Sequence, residues 1–143
     1  MYQKVVIAGN LGGDPVMRYT SDGTPVTSFS VATNEVWSDR SSGERRERTT
    51  WWRVTTWRKQ AEICNEYLSK GRQVLVEGTM TIDPETGGPR IWTGQDGQAR
   101  ASLELTAQTV RFIGGRGDSM GGGGGGSSQG PDEMPANEDD MPF

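Results

Sequence analysis

The chain has 143 residues, 24% of them charged, with a formal net charge of −4, one cysteine and no histidine. That length suits one domain with a tail. The lack of histidine removes the usual general base at neutral pH, and a single cysteine without histidine argues against a structural zinc site. No Gly-x-x-x-x-Gly-Lys-Ser/Thr phosphate loop occurs, so the composition points to a binding protein without catalytic residues, metal or cofactor rather than to an enzyme.

The charge is unevenly spread. All 15 Lys and Arg lie at or before Arg116, where 13 acids accompany them, so this part carries +2. The six acids beyond it meet no base and carry −6. A mildly basic body thus precedes an acidic tail. Met1 to Lys4 run directly into a strand pattern, so no signal peptide is expected, and no apolar run approaches the length of a membrane span. With a lone Cys64, these features favour a reducing cytoplasm.

Residues 4–11 alternate loosely around Val5, Val6, Ile7 and Leu11 and predict a first strand. Gly9-Asn10-Leu11-Gly12-Gly13-Asp14-Pro15 then supplies turn residues, and residues 16–19 continue the same strand after a glycine bend. Ser21-Asp22-Gly23-Thr24-Pro25 is a turn. Residues 26–33 alternate again, with Phe29 and Val31 facing the core. Residues 34–48 form a polar, charged hairpin arm that carries Trp37. Residues 49–59 are rich in β-branched and aromatic residues and read as a strand. One of its rows is Trp51, Arg53, Thr55, Trp57 and the other is Trp52, Val54, Thr56, Arg58. Neither row is a plain apolar face. Flat rings flanking a cation suit single-stranded nucleic acid, although tryptophans are as readily core residues.

The period then changes. Ala61, Cys64 and Leu68, with Ile63 and Tyr67, form a helical stripe. Lys70 is expected in its last turn and Gly71 just past its end, and Cys64 is a small buried residue on the stripe. Residues 72–81 return to a strand. Residues 82–99 form a second long arm with Arg90 and Trp92, bending at Asp83-Pro84, Gly87-Gly88-Pro89 and Asp96-Gly97. Residues 100–113 are the last strand, with Leu103, Leu105 and Ala107 inward. From Gly114 the chain is too rich in glycine and polar residues to offset the entropy of ordering, and it is expected to behave as a disordered linker. Arg116-Gly117-Asp118 in this linker is a chance tripeptide. The expected fold is all-β: a five-stranded OB-fold Greek-key barrel with one helix between strands three and four and a disordered C-terminal tail. The divisions are 1–113, 114–137 and 138–143.

Several motifs in this order resemble the bacterial single-stranded DNA-binding protein family over essentially the whole chain. They are Val6-Ile7-Ala8-Gly9-Asn10-Leu11-Gly12-Gly13-Asp14-Pro15 with Arg18-Tyr19, then Phe29-Ser30-Val31-Ala32-Thr33 and Trp51-Trp52-Arg53-Val54. Glu66-Tyr67-Leu68-Ser69-Lys70-Gly71 and Val76-Glu77-Gly78 follow, and Glu138-Asp139-Asp140-Met141-Pro142-Phe143 closes the set. The resemblance implies a homotetramer that wraps single-stranded DNA without strong sequence preference. Its stacking aromatics would be Trp37, Trp51, Trp57 and Trp92, and Asp139, Asp140, Met141, Pro142 and Phe143 would dock replication, recombination and repair proteins. Trp57 stands where the family commonly has Phe, Trp52 where it has His at a subunit contact, and Met141 where it has Ile.

Trp37 and Trp92 lie in polar arms, where stacking on DNA explains them better than burial. Trp52 is assigned to packing or an interface. Arg45, Arg46, Arg48, Arg53, Arg58, Arg72 and Arg90 are candidate phosphate contacts, with Arg53 and Arg72 foremost. The other readings are an OB-fold RNA binder of the cold-shock type, which leaves the tail unexplained, an oligomeric scaffold with its tryptophans at subunit contacts, and a nuclease, which would need clustered carboxylates.

Overall fold

A computed structural model describes residues 1–114 of the chain. The expected glycine-rich linker beyond Gly114 and the 138–143 tip lie outside the described residues. The element order is β1 (Val5–Leu11), β2 (Val16–Tyr19), β3 (Pro25–Ser38), β4 (Arg45–Trp57), α1 (Arg58–Tyr67), β5 (Gln73–Met80), β6 (Ile91–Thr93), β7 (Ala99–Ala101) and β8 (Leu103–Phe112). The large sheet runs β1-β5-β8-β4-β3-β2. It closes on itself because β1 also pairs with β3 at Asn10↔Ala32 and Leu11↔Val31. β2 continues along the same edge of β3, with Val16 opposite Ser28. β1 and β2 therefore act as one bent strand, and the barrel has five strands with the helix between the third and fourth, as the sequence predicts.

Period-two alternation delivers the core. Ile7 and Leu11, Phe29 and Val31, Val54, Val74 and Val76, and Leu105 and Ala107 point inward from the five strands, and Cys64 and Leu68 cover one end from the helix side. Trp52 packs half-buried against this cluster. Thr27 and Thr56 are buried too, and both hydroxyls are satisfied: Thr27 Oγ1 donates to the Ala61 carbonyl at 2.7 Å and Thr56 Oγ1 to the Thr27 carbonyl at 3.1 Å. This relay ties β3 and β4 to the first turns of α1. Buried polar groups left unpaired cost about 1–3 kcal/mol, and no buried side-chain nitrogen or oxygen lacks a partner among the described residues. Burial pushes the Cys64 thiol up to about 11. It stays protonated and serves as a packing group.

Two close approaches rule out a side chain. A Cβ on Gly9 would stand 2.1 Å from the Ala32 carbonyl oxygen, where β1 closes on β3. A Cβ on Gly78 would stand 2.1 Å from the Thr106 oxygen, where the β5–β8 register shifts.

The structure corrects four expectations. The helix starts at Arg58, directly after the strand, rather than beyond Lys59. Arg58 has φ of 57° and is exposed, so it leaves the inward row of Trp52, Val54 and Thr56. The helix ends at Tyr67, so Lys70 is not in its last turn. Leu68 turns extended to bury its side chain, and residues 69–72 form a separate turn pinned to the β1–β2 bend. In that turn Gly71, at φ of 84°, donates to the Leu11 carbonyl, and the Lys70 amide donates to Asp14 Oδ1. Finally, the last strand is broken at Ser102. β7 leaves the barrel to pair with β6 as a separate ribbon, and Leu103, next to the break, is exposed rather than inward.

Candidate nucleic-acid interface

β4 divides its residues as a half-buried strand must. Val54 and Thr56 are buried and Trp52 is half-buried, whereas Trp51, Arg53 and Trp57 are exposed on the opposite row and Thr55 is half-buried. The neighbouring strands complete this outer face with small polar groups. Ser30 and Ser28 of β3 sit opposite Arg53 and Thr55. On the other side β8 runs parallel, with Glu104 beside Arg53 and Thr106 beside Thr55. Short hydroxylated side chains leave the rings and guanidinium standing clear of the sheet.

Two adjoining clefts occupy this face, of about 780 and 270 Å³, and both are lined by Arg18, Ser28 and Arg53. The larger reaches Trp51 and the β7–β8 junction, and the smaller reaches Trp57, Arg90 and Glu104. Trp51 and Trp57 lie six residues apart, roughly 20 Å at ~3.3 Å per residue. The Trp51 ring lies close over the β1–β2 bend. A Cβ on Gly12 would meet its Cζ3 at 2.4 Å, so glycine there lets the ring settle. No ion pair involves Arg18, Arg53 or Arg90 among the described residues; the pairs found are Lys4–Glu77, Arg46–Glu44, Arg48–Glu35, Lys59–Glu62 and Arg100–Asp96. Three guanidiniums on this face are thus free of carboxylate partners, while Arg46 and Arg48 on the arm are engaged.

The remaining predicted site residues are distributed differently. Trp92, on β6, is 46% exposed and donates through Nε1 to Ser102 Oγ at 3.1 Å. Ser102 lines the larger cleft, so Trp92 stands at its rim, with the Arg100 guanidinium 5.8 Å from its ring. Trp37 is 44% exposed, but its register places it on the row that continues Phe29 and Val31, not on the row facing with Trp51. It shares a separate shallow pocket with Glu35, Val36 and Arg48, whose guanidinium is 5.6 Å from the ring. Arg72 sits in the turn before β5 and does not line either cleft. Trp52 is a packing residue, its Nε1 donating to Thr33 Oγ1 at 3.2 Å. Asp139, Asp140, Met141, Pro142 and Phe143 are outside the described residues.

Two residues of the face, Arg18 and Glu104, were not singled out by the sequence as site residues. Alternation in β2 and β8 places each on its outer row, but only the pairing of those strands with β3 and β4 brings them to Arg53. Among the described residues no cluster of His, Cys, Asp or Glu could hold a metal, and no helix is long and apolar enough to cross a membrane.

Residues 2–113 match the single-strand binding protein family. The chain is similar to single-stranded DNA-binding protein 1 of Xylella fastidiosa, with 38% identity over 137 residues that cover 96% of this chain and 93% of that one. It is 42% identical over 119 residues to a single-stranded DNA-binding protein of Neisseria meningitidis, covering 83% of this chain but 64% of that protein, less than two thirds of its length. Among solved structures, the fold is similar to a Plasmodium falciparum SSB in complex with ssDNA. That match has a TM-score of 0.64 and 26% identity, and covers 80% of this chain and 96% of the other.

Proposed function

The chain belongs to the single-strand binding protein family, and on that premise we propose that it binds single-stranded DNA with little regard for sequence along the outer face of β2, β3, β4 and β8. One observation carries the reading: Trp51 and Trp57 stand exposed at the two ends of a row that includes Arg53, which shares its clefts with Arg18 and Arg90, none of the three ion-paired among the described residues. Exposed rings stack on any base because every base has a π-face. Guanidiniums without protein partners are available to phosphate oxygens. Duplex DNA hides its base faces and fits poorly.

A titration tests this. Oligo-dT should quench tryptophan fluorescence strongly and a duplex of equal length should not. Each phosphate contact contributes about −0.7 to the log–log dependence of affinity on salt for single strands. Arg18→Ala or Arg90→Ala should flatten that slope by about this amount. Equal affinity for single strands and duplex would remove the proposal.

In the same reading the protein is a non-catalytic cytoplasmic binder that assembles as a homotetramer. Its acidic tip recruits replication, recombination and repair proteins. What supports the tip's role is its chemistry: an apolar Met141-Pro142-Phe143 end follows Glu138-Asp139-Asp140. A tail serving solubility alone accounts for the acids but not for the apolar Met141, Pro142 and Phe143 beside them. The Phe143 ring suits an apolar pocket, and the acids suit a basic partner surface and steer the encounter. Deleting Met141, Pro142 and Phe143 should abolish capture of such proteins from nuclease-treated bacterial lysate and leave oligo-dT affinity nearly unchanged. Retention of the same proteins by the shortened chain would overturn the docking role.

A further inference from the structure

We propose that the smaller cleft is a base-edge subsite in which Glu104 accepts a hydrogen bond from an exocyclic amine, so that cytosine is received there in preference to thymine. The inference rests on the reading that the outer face binds single strands, and it adds a local base preference to a surface otherwise tolerant of sequence.

Glu104 stands on β8 directly beside Arg53 of β4 in the parallel register. Both line the cleft of about 270 Å³, together with Arg18, Arg90 and Trp57. Three guanidiniums therefore share a small space with one half-buried carboxylate. Yet among the described residues Glu104 forms no ion pair with them, and no hydrogen bond to its carboxylate is found. Its backbone, by contrast, is fixed, since the Thr81 amide donates to the Glu104 carbonyl at 2.8 Å. The adjacent Thr81 and Thr106 hydroxyls are bonded to each other at 2.8 Å and so are engaged in the protein. Among the described residues, Glu104 is left as the one carboxylate acceptor of the cleft, beside the weaker Ser28 and Thr55 hydroxyls.

A carboxylate in the path of a polyanion has a definite consequence. It repels phosphate, so the backbone of a bound strand is held away from it, toward Arg18 and Arg90. What faces Glu104 is then a base edge, with Trp57 available to stack on its ring. An ionised carboxylate only accepts. Cytosine offers the N4 amine as donor, and Glu accepting from cytosine N4 is an established side-chain pairing at base edges. Arg53, next to it, offers donors to the ring acceptors N3 and O2. Thymine in the same pose sets its O4 lone pairs against the carboxylate. The two bases have the same ring size and differ at the group Glu104 reads.

The test uses the full chain and homopolymers of equal length, oligo-dC and oligo-dT, with the intact protein, Glu104→Gln and Glu104→Ala. A glutamine amide donates as well as accepts, so Glu104→Gln should receive thymine O4. The ratio of dC to dT affinity should fall about 5-fold in Glu104→Gln, the low end of what one base contact discriminates, and should fall in Glu104→Ala as well. If both oligonucleotides gain affinity equally, the carboxylate acts only as general repulsion and the proposal is wrong. If both lose affinity together with a lowered unfolding temperature, Glu104 is structural and the proposal is equally wrong. An unchanged ratio with both strands bound overturns this inference alone. Failure of the intact protein to bind either strand overturns the reading of the face, and this inference with it.

Discussion

Gly9→Ala is expected to leave the chain without a closed barrel, and Gly78→Ala to do the same at another seam. The obstruction in each case is backbone, which no rotamer change can move aside. The new methyl carbon at position 9 would lie 2.1 Å from the Ala32 oxygen, 2.9 Å from its carbonyl carbon and 3.0 Å from Val31 Cγ1. The only relief is to part β1 from β3, and their pairing there closes the cylinder. At position 78 the clash is with the Thr106 oxygen and the Ala107 Cα, between β5 and β8. A loss of at least about 4 kcal/mol is expected, the scale reserved for forced rearrangement of a core, against a total of ~5–15 kcal/mol for a typical domain. Gly13→Ala is the control. Nothing lies within 4 Å of a Cβ there, so its effect should stay within about 0.5 kcal/mol. Urea unfolding followed by circular dichroism measures all three. A Gly9→Ala protein that unfolds at the same urea concentration as Gly13→Ala would show that the β1–β3 seam yields.

Removal of the two exposed rings should have the largest effect on binding. Base–aromatic stacking is worth about 1–3 kcal/mol per base by alanine substitution, so Trp51→Ala and Trp57→Ala should each weaken oligo-dT binding about 5- to 150-fold. The rings are roughly 20 Å apart at strand spacing, far enough for their effects to add. The double variant should therefore lose about 30-fold at the least. Neither ring belongs to the core cluster, so unfolding by urea should change little. Trp52→Ala should behave in the opposite way, because that ring packs on the core and bonds Thr33: stability falls first. Gly12→Ala lies between the two, since its methyl group would push the Trp51 ring from its seat without removing it. A folded Trp51→Ala protein that binds oligo-dT with full affinity would take away the stacking role.

Much of this was legible because a strand writes its faces into alternate letters. Trp51, Arg53 and Trp57 separate from Val54 and Thr56 by parity alone, and the helical stripe of Ala61, Cys64 and Leu68 shows by its change of period. What parity cannot carry is register between distant strands. Arg18 and Glu104 are ordinary outward residues of β2 and β8 until pairing through β3 sets Arg18 in line with Trp57 and pairing with β4 sets Glu104 beside Arg53. The row that Trp37 takes is hidden for a related reason: the arm that holds it is polar on both sides, so composition does not reveal which face the ring is on. Arg72 was chosen for its charge, but charge does not tell which turn a residue occupies. The helix ends earlier than its sequence suggests because Lys70 and Gly71, usual residues of a helix terminus, here serve the following turn, whose anchors, Leu11 and Asp14, are far away in sequence.

The place of β8 in the sheet has a bearing on how the molecule comes into being. It is the last strand in sequence among the described residues, yet it lies between β4 and β5, parallel to the first and antiparallel to the second. A growing chain that has reached Met80 already holds both neighbours and has nothing to put between them. β4 and β5 each then present an unpaired edge, the surface on which extended segments of other chains add. The β4–β8 seam also joins segments about fifty positions apart, as Trp52 and Leu103 are, the kind of contact that slows folding. The glycine-punctuated 82–99 stretch must be synthesised before the seam can close, and its own strand segment, Ile91–Thr93, pairs locally with β7 rather than with those edges. The same stretch that carries Trp92 to the rim of the cleft thus spaces the vulnerable edges in time.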